Sequence, residues 1–281
     1  MSYIVTGYKI ENPIKSGGFA EVYYALRIKD KKHVAIKVLN QSGCNNSRIR
    51  RLFQNEAKLM ASLDHPNIIK VDSVIKESKR PAIALEYFES ETLKTWILNK
   101  NPLIFQKGMK VFIQMAKALN YVHEQNIIHK DIKPENILVN NEGESRLIDF
   151  SIAEKISFLS KLRPKKREGT PLYMAPEQVR KDNLDGQCDI YALGATFYEA
   201  FAGTPHVQGK SEKAILQKQL KGQVPKIRQF NKNVSHKLET VIMRMLEKNR
   251  EKRYKTMREV LYELGKFADE NYQISVNEES Q

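Results

Sequence analysis

Lys37 lies inside an apolar run, Val34-Ala35-Ile36-Lys37-Val38-Leu39, and at a period of two it shares a strand face with Ala35 and Leu39. Glu56 falls in the slot between Phe53 and Leu59, on a stripe of Ile49, Leu52, Phe53, Leu59, Met60 and Leu63 that repeats at three and four. An unpaired charge in either place costs on the order of several kcal/mol. Three outcomes are open: the two charges pair with each other, they bind something charged, or their side chains reach back to solvent. A second concentration of polar groups is His129-Lys130-Asp131-Ile132-Lys133-Pro134-Glu135-Asn136, with six polar side chains between Ile127-Ile128 and Ile137-Leu138. Pro134 excludes a helix interior, so this stretch is a loop held between buried ends. Asp149 follows as an acid within the apolar segment Leu147-Ile148-Asp149-Phe150. An Asp and an Asn offering oxygens beside a Lys form the inventory for a hard cation together with phosphate, as in Mg²⁺-nucleotide sites.

The elements that must position these residues divide along the chain. Val22, Tyr24, Leu26 and Ile28 alternate at a period of two, and Asp30-Lys31-Lys32 turns the chain into Val34–Leu39, an antiparallel hairpin. The Glu56 helix follows and is ended by His65-Pro66-Asn67, after which residues 68–74 and 81–88 resume strand character. From Leu93 onward apolar stripes of helical period dominate: Val111, Phe112, Met115, Leu119 and Val122; Ile190, Leu193, Phe197, Tyr198 and Phe201; Leu238, Val241, Ile242 and Met245; and Val260, Leu261, Leu264 and Phe267. Strands followed by a run of helices predict an α+β protein with two unequal lobes.

Composition agrees with this. The 281 residues are 41% hydrophobic and 28% charged, enough apolar content for a real core and too much for a disordered chain. The net charge is +14, and residues 269–281 carry four acids and no base, so the positive surplus lies entirely before them. Such a surplus suits an anionic partner or a solvated surface. Cys44 and Cys188 are isolated, which excludes a disulfide framework and a thiolate zinc site and fits a reducing compartment. The N-terminus lacks the basic-then-apolar order of a secretion signal, and no apolar run approaches the roughly 20 residues that span a bilayer. The expectation is a cytoplasmic protein without a transmembrane segment.

Taken together and in this order, the motifs resemble those of the protein kinase family, over residues 8–268. The resemblance implies an N-terminal lead over 1–7, a two-lobed kinase fold and an acidic polar tail over 269–281. The fold comprises a small antiparallel β lobe with helix C (8–88) and a larger, mainly helical lobe (89–268). It implies ATP and Mg²⁺ as cofactors. Val34-Ala35-Ile36-Lys37 is similar to the strand whose Lys holds the α- and β-phosphates, and Glu56 to the helix C glutamate that pairs with it. In His129-Lys130-Asp131 through Asn136, Asp131 corresponds to the base or orienter of the acceptor hydroxyl, Lys133 to the cation at the transferring phosphoryl group, and Asn136 to a metal ligand. Asp149-Phe150-Ser151 stands in the place of the second metal-binding motif. Nucleotide contacts are implied for Ile14, Lys15, Gly17, Val22, Ala35, Leu85, Glu86, Phe88 and Leu138, with Leu85 as gatekeeper and Glu86 and Phe88 supplying backbone to adenine. Met60, Val71, His129 and Phe150 correspond to an internal spine. Gly169-Thr170-Pro171 through Ala175-Pro176-Glu177 resembles the end of an activation segment, with Arg253 pairing to Glu177. Lys133-Pro134-Glu135-Asn136 is similar to serine/threonine kinases, which implies protein Ser/Thr hydroxyls as substrates, this chain's own included, and places Thr170 against Asp131 and Lys133.

Several positions depart from the family pattern. The phosphate loop reads Lys15-Ser16-Gly17-Gly18-Phe19-Ala20, with Lys15 and Ala20 at positions that are usually glycine. Ser151 replaces a glycine, at a cost of roughly 1 kcal/mol if its φ is positive. Lys130 replaces the usual Arg and loses its bidentate fork. These departures open an alternative, a pseudokinase that binds nucleotide as a scaffold, and a third reading is a phosphotransferase for small molecules. Six bases (Lys155, Lys161, Arg163, Lys165, Lys166 and Arg167) lie between Glu154 and Glu168. They suit either ordering by phosphorylation at Ser157 or Ser160 or recruitment of an acidic substrate. Gly209-Lys210-Ser211 imitates the end of a Walker loop but follows a helix and has Thr204 where glycine is required, so it predicts a polar turn and a helix start. Part of the surplus charge belongs to phosphate handling and part to the basic stretch between Glu154 and Glu168, and no feature supports a nucleic-acid partner.

Overall fold

The computed structural model describes residues 5–76, 80–156 and 167–266. It resolves into two compact units, one of Met1–Glu89 with Ile148–Ile152, the other of Ser90–Leu147 with Ala153–Gln281. The first is an antiparallel five-stranded sheet of order β1-β2-β3-β5-β4, built from β1 (Tyr8–Ser16), β2 (Ala20–Arg27), β3 (His33–Leu39), β4 (Val71–Ile75) and β5 (Ala82–Glu86). The expected hairpin is β2–β3, in which Val22 pairs with Lys37 and Tyr24 with Ala35. Strand alternation sorts β3 into two faces: Val34, Ile36 and Val38 enter one core cluster with Ala25, Ala82 and Ala84. Leu39 enters another with Phe53, Ala57 and Ile83. The second cluster seats helix α2 (Ser47–Ala61), whose first turn is capped by Asn46. A short helix not expected from the sequence, α1 (Gln41–Asn45), precedes it.

Two boundaries differ from the periodic reading. Helix α2 ends at Ala61, before His65, and the expected strand over 68–74 begins only at Val71. The helix closes on Ser62, whose N–H and hydroxyl both donate to the Leu59 carbonyl. A turn then delays the strand: Ile68 N–H donates to the His65 carbonyl and Asn67 N–H to His65 Nδ1, leaving Ile68 and Ile69 buried as loop residues.

The second unit is mainly helical. The strand β6 (Glu91–Thr92) leads into helices α3 (Leu93–Leu98) and α4 (Leu103–Glu124), and it pairs antiparallel with β8 (Ile137–Val139), which pairs in turn with β9 (Ser145–Leu147). A further pair joins β7 (Ile127–Ile128) to β10 (Glu154–Lys155). Then come α5 (Pro176–Arg180), α6 (Gln187–Ala202), α7 (Glu212–Lys221), α8 (His236–Met245) and α9 (257–266). The sequence predicts an apolar stripe on α6. In the structure every residue from Gln187 to Phe201 is buried, polar ones included, as befits a helix enclosed on all sides. Phe197 of α6 stacks on Phe112 of α4 with ring centroids 4.1 Å apart. Ser211 caps α7 through its hydroxyl, so the Walker-like tripeptide is the predicted helix start. Both cysteines are free thiols. Among the described residues no helix is long and apolar enough to cross a membrane.

One buried ion pair ties the second unit together. Arg253 donates to both carboxylate oxygens of Glu177, at 2.6 and 3.2 Å, and also to the carbonyls of Gln187 and Glu247, with neither side chain exposed. Removing one partner strands the other charge in the interior. Glu177→Gln is expected to lower the stability of the chain by about 3–5 kcal/mol in chemical denaturation; a loss below about 1 kcal/mol would show the pair to be dispensable.

Candidate active site

In the first unit the register of the sheet gathers one set of predicted residues. Val22 lies opposite Lys37, and Ala35 opposite Leu85. Directly paired residues share a face, and Ala35 and Lys37 are two apart on β3, so all four point to the α2 side. Glu56 projects from α2 on that side and is 2% exposed. Lys37 Nζ donates to Glu56 Oε1 at 2.6 Å and to Asp149 Oδ1 at 3.5 Å. Of the three outcomes open for these charges, the structure adopts pairing. Burial alone would lower the pKa of Lys37; the carboxylates of Glu56 and Asp149 outweigh it and hold the ammonium protonated above its ordinary range. Burial pushes the Glu56 carboxyl up, and the Lys37 charge pulls it back.

The remaining nucleotide candidates of this unit are scattered around that face. Ile14, Lys15 and Gly17 are exposed on β1 and at its turn, where the register with β2 slips between Pro13 and Lys15. Glu86 directs its side chain to the opposite face, paired with Val34, and its N–H donates to the Lys70 carbonyl. Phe88 is half-buried beyond the end of β5. The glycine turn is held by a residue that sequence reasoning missed. Asn40 donates from Nδ2 to the Gly18 carbonyl at 2.9 Å and from its backbone to the Phe19 carbonyl at 3.0 Å. Its Oδ1 meanwhile caps α1 through Gly43 N–H. Gly43 must be glycine, because a Cβ there would lie 2.4 Å from the Phe19 carbonyl oxygen.

Backbone strain falls elsewhere than predicted. Ser151 is not among the positive-φ residues; Asp149, two positions earlier, has φ 65°. Asp tolerates the left-handed region better than most side chains, and Ser151 N–H reaches Asp149 Oδ1 at 3.4 Å. The serine therefore carries no left-handed penalty.

In the second unit the predicted loop stands on Asp189, at the first turn of α6. Its Oδ2 accepts from His129 N–H and lies 2.9 Å from His123 Nε2, and its Oδ1 accepts from Lys130 N–H. Burial alone would raise its pKa, yet the hydrogen bond to His123 and the backbone donors hold it below the usual carboxylate range. Lys130 has φ 68°. The next residue, Asp131, accepts from the Thr170 hydroxyl at 2.8 Å and the Thr170 N–H at 3.0 Å on Oδ1, and from Lys133 Nζ at 2.6 Å on Oδ2. Lys133 also donates to the Thr170 hydroxyl at 2.9 Å. Asn136 donates from Nδ2 to the Asp131 carbonyl at 2.9 Å, which fixes its amide and leaves Oδ1 as its acceptor for a cation. Leu138 sits on β8, half-buried and opposite Thr92 and Arg146. Of the spine candidates, Met60, His129 and Phe150 are buried and Val71 packs against the α2 cluster.

Lys130 has unexpected company. Its ammonium lies 3.2 Å from Glu154 and 3.3 Å from Glu168, the two acids that flank the basic stretch. Ser157 and Ser160 lie outside the described residues. Gln178, also missed, donates to the Lys130 carbonyl at 2.9 Å, and Gly169, with φ 119°, has no room for a Cβ beside that carbonyl. A third unanticipated group is Glu199, buried in α6, which accepts from Lys94 at 2.6 Å and from the Tyr173 hydroxyl at 2.5 Å.

The profile of the protein kinase domain matches residues 8–263. The chain belongs to the protein kinase family. It is 34% identical over 249 residues to the serine/threonine-protein kinase PrkC of Bacillus subtilis, covering 89% of this chain and 38% of that protein. It is 33% identical over 269 residues to a probable serine/threonine-protein kinase of Clostridium perfringens, covering 95% and 39%. A third relative, the serine/threonine-protein kinase PknB of Mycobacterium leprae, is 30% identical over 262 residues, covering 92% and 42%. The kinase domain thus spans about two fifths of the length of these curated relatives. The two-lobed α+β architecture expected from the resemblance is the one observed.

Within this domain the Asp189 contacts are the most sensitive to a small change. Asp189→Asn turns an amide N–H₂ toward at least one of the N–H donors and removes the charge that both require. Hydrogen bonds to a charged group contribute about 1.5–3 kcal/mol each. The substitution is expected to cost about 2–4 kcal/mol of stability and to raise amide exchange at His129 and Lys130. Unchanged exchange at those two amides would refute the assignment.

Proposed function

We propose that this domain transfers the γ-phosphoryl group of Mg²⁺-ATP to serine and threonine hydroxyls of proteins, its own included. The observation that carries the reading is the set of three groups at Asp131: a hydroxyl donating to a carboxylate at 2.8 Å, with an ammonium 2.6 Å from that carboxylate and 2.9 Å from the hydroxyl oxygen. An acceptor hydroxyl brought to Asp131 beside Thr170 would be oriented by that carboxylate in the same way, and Lys133 would neutralise charge on the incoming phosphoryl group. The hydroxyl oxygen forms the new bond to phosphorus, the bond from the γ-phosphorus to the bridging oxygen breaks, ADP leaves with that electron pair, and the hydroxyl proton passes to Asp131.

The residues present fit the nucleotide and its metal. Mg²⁺ is held by one or two protein oxygens together with phosphates, and Asp149 and Asn136 each supply a hard oxygen. Held by Asp149 and Asn136, such an ion would supply charge neutralisation at the phosphates. Lys37, protonated and paired with Glu56, would hold the α- and β-phosphates. Val22, Ala35 and Leu85 offer an apolar face to the adenine, with Leu138, Ile14 and the backbone of Glu86 and Phe88 as further contacts. Lys15 and Gly17 serve the phosphates.

The serine/threonine specificity in the relatives' names agrees with Thr170 at Asp131. Three of the four departures that open the scaffold reading fit their surroundings: Ser151 carries no left-handed strain, Ala20 opens β2, and Lys130 has two carboxylate partners. The bases between Glu154 and Glu168 suit either phosphate on Ser157 or Ser160 or an acidic region of a protein acceptor.

Labelled ATP incubated with the wild-type chain, alone and with a generic basic protein, is expected to label both. Asp131→Asn should lower the rate by about 10²–10⁴-fold while Mg²⁺-ATP binding persists. Transfer surviving the substitution would reject the role of Asp131. Nucleotide binding by the wild type without any transfer would establish the scaffold instead.

A further inference from the structure

A buried polar network on α7 has no part in the chemistry above, yet it ends at the Thr170 segment. Gln219 is completely buried. Its Nε2 donates to two successive backbone carbonyls, Pro171 at 3.0 Å and Leu172 at 2.9 Å. Its Oε1 accepts from the Tyr191 hydroxyl at 2.6 Å and lies 3.2 Å from His206 Nε2, which is itself 3.1 Å from the Tyr191 oxygen. The one Tyr191 hydrogen is committed to Gln219, so the His206 proton sits on Nε2. Burial draws the His206 pKa down to about 3 and keeps the ring neutral. Both hydrogens and both lone pairs of the Gln219 amide are therefore used, in one orientation only. Flipped, its oxygen would face two carbonyl oxygens. Lys248 fixes the backbone beneath, donating to the carbonyls of Lys218 and Gln219 at 2.8 Å each.

The held carbonyls belong to a closed turn. Tyr173 N–H donates to the Thr170 carbonyl at 2.9 Å, so residues 170–173 move together. At the other end of that turn Thr170 binds Asp131 through its N–H and hydroxyl. We propose that Gln219 is a positioning residue for the acceptor side of the transfer: by holding the Pro171 and Leu172 carbonyls it fixes Thr170, and through Thr170 the carboxylate that orients the acceptor hydroxyl. The inference rests on the role proposed for Asp131. It extends that role to a residue far away in sequence, which touches neither nucleotide nor acceptor. A shift of the turn by about 1 Å is enough to spoil the alignment of a reacting hydroxyl.

The test uses the full chain with Gln219→Glu, which keeps size and sets an oxygen against the two carbonyls, and Gln219→Leu, which leaves them unpaired. Steady-state transfer to a protein acceptor is measured with ATP and acceptor varied separately, beside thermal unfolding with and without Mg²⁺-ADP. Both variants are expected to lose about tenfold or more in kcat/KM for the acceptor. KM for ATP should stay within about twofold, and the Mg²⁺-ADP stabilisation should be retained. Tyr191→Phe removes only the hydroxyl that orients the amide and should lose about threefold in the same constant. Combined with Gln219→Leu it should add nothing further.

Folded Gln219 variants with wild-type acceptor kinetics would overturn the inference and leave the proposed function standing. A loss shared equally by KM for ATP would also overturn it, as the mark of general damage. If neither Gln219 variant folds, Tyr191→Phe decides, and unchanged acceptor kinetics there would overturn the inference. A wild-type chain that transfers nothing rejects the proposed function and this extension together.

Discussion

The loop that carries Asp131 stands on one carboxylate that water does not reach. Asp189 is enclosed at the start of a helix that is itself enclosed, where an ionised group survives only if its lone pairs are answered. The answer comes from the backbone: successive N–H groups of His129 and Lys130 turn toward it, with His123 completing the set. Successive N–H groups directed at one anion form a concave nest, and the left-handed φ of Lys130 belongs to such a turn. Once that backbone is fixed, the next residue has little freedom. Asp131 is delivered to Thr170 and Lys133, and Asn136 closes the loop back onto the Asp131 carbonyl.

The first unit solves the converse problem. There a cation is placed inside an apolar face, and the helix packed on that face supplies the counter-charge. The pair Lys37–Glu56 holds only while α2 sits on the Leu39, Phe53, Ala57 and Ile83 cluster, since the carboxylate has no other route to the ammonium. Hydrophobic packing of α2 and the electrostatics of Lys37 are thus one constraint. A buried pair of this kind adds little net stability, and its effect is to define which seating of the helix is compatible with a protonated, correctly aimed lysine.

Much of this was legible in the sequence because violation of a period is a strong signal. Lys37 interrupts an alternation of two and Glu56 a repeat of three and four, and both anomalies pointed inward. The polar loop was legible through Pro134 and its flanking apolar pairs. Other features left no such mark. In a helix buried on all sides there is no polar face against which Glu199 could stand out. Gln178, Gln219 and Asn40 act by donating to backbone carbonyls, and a carbonyl is present at every position of every chain. The left-handed turn was sought at Ser151 because glycine is usual there, but the chain takes it at Asp149, where a short acceptor side chain reaches its own backbone two residues on. The late start of β4 follows a turn in which a histidine ring accepts from Asn67 N–H, which periodicity does not record.

Lys130 shows how a substitution that looks like a loss fits its surroundings. An arginine presents a planar fork suited to one anion held bidentately, whereas a lysine is a compact charge with three rotatable donors. The groups around this position are two separate carboxylates, Glu154 at the end of the β7–β10 pairing and Glu168 just before Gly169. Each takes one contact, at 3.2 and 3.3 Å. A point charge with rotatable donors serves both at once. The same lysine contributes its N–H to Asp189 and its carbonyl to Gln178. One residue therefore joins the buried foundation of the loop to both edges of the basic stretch between residues 155 and 167, with a buried ammonium meeting two carboxylates that keep contact with solvent.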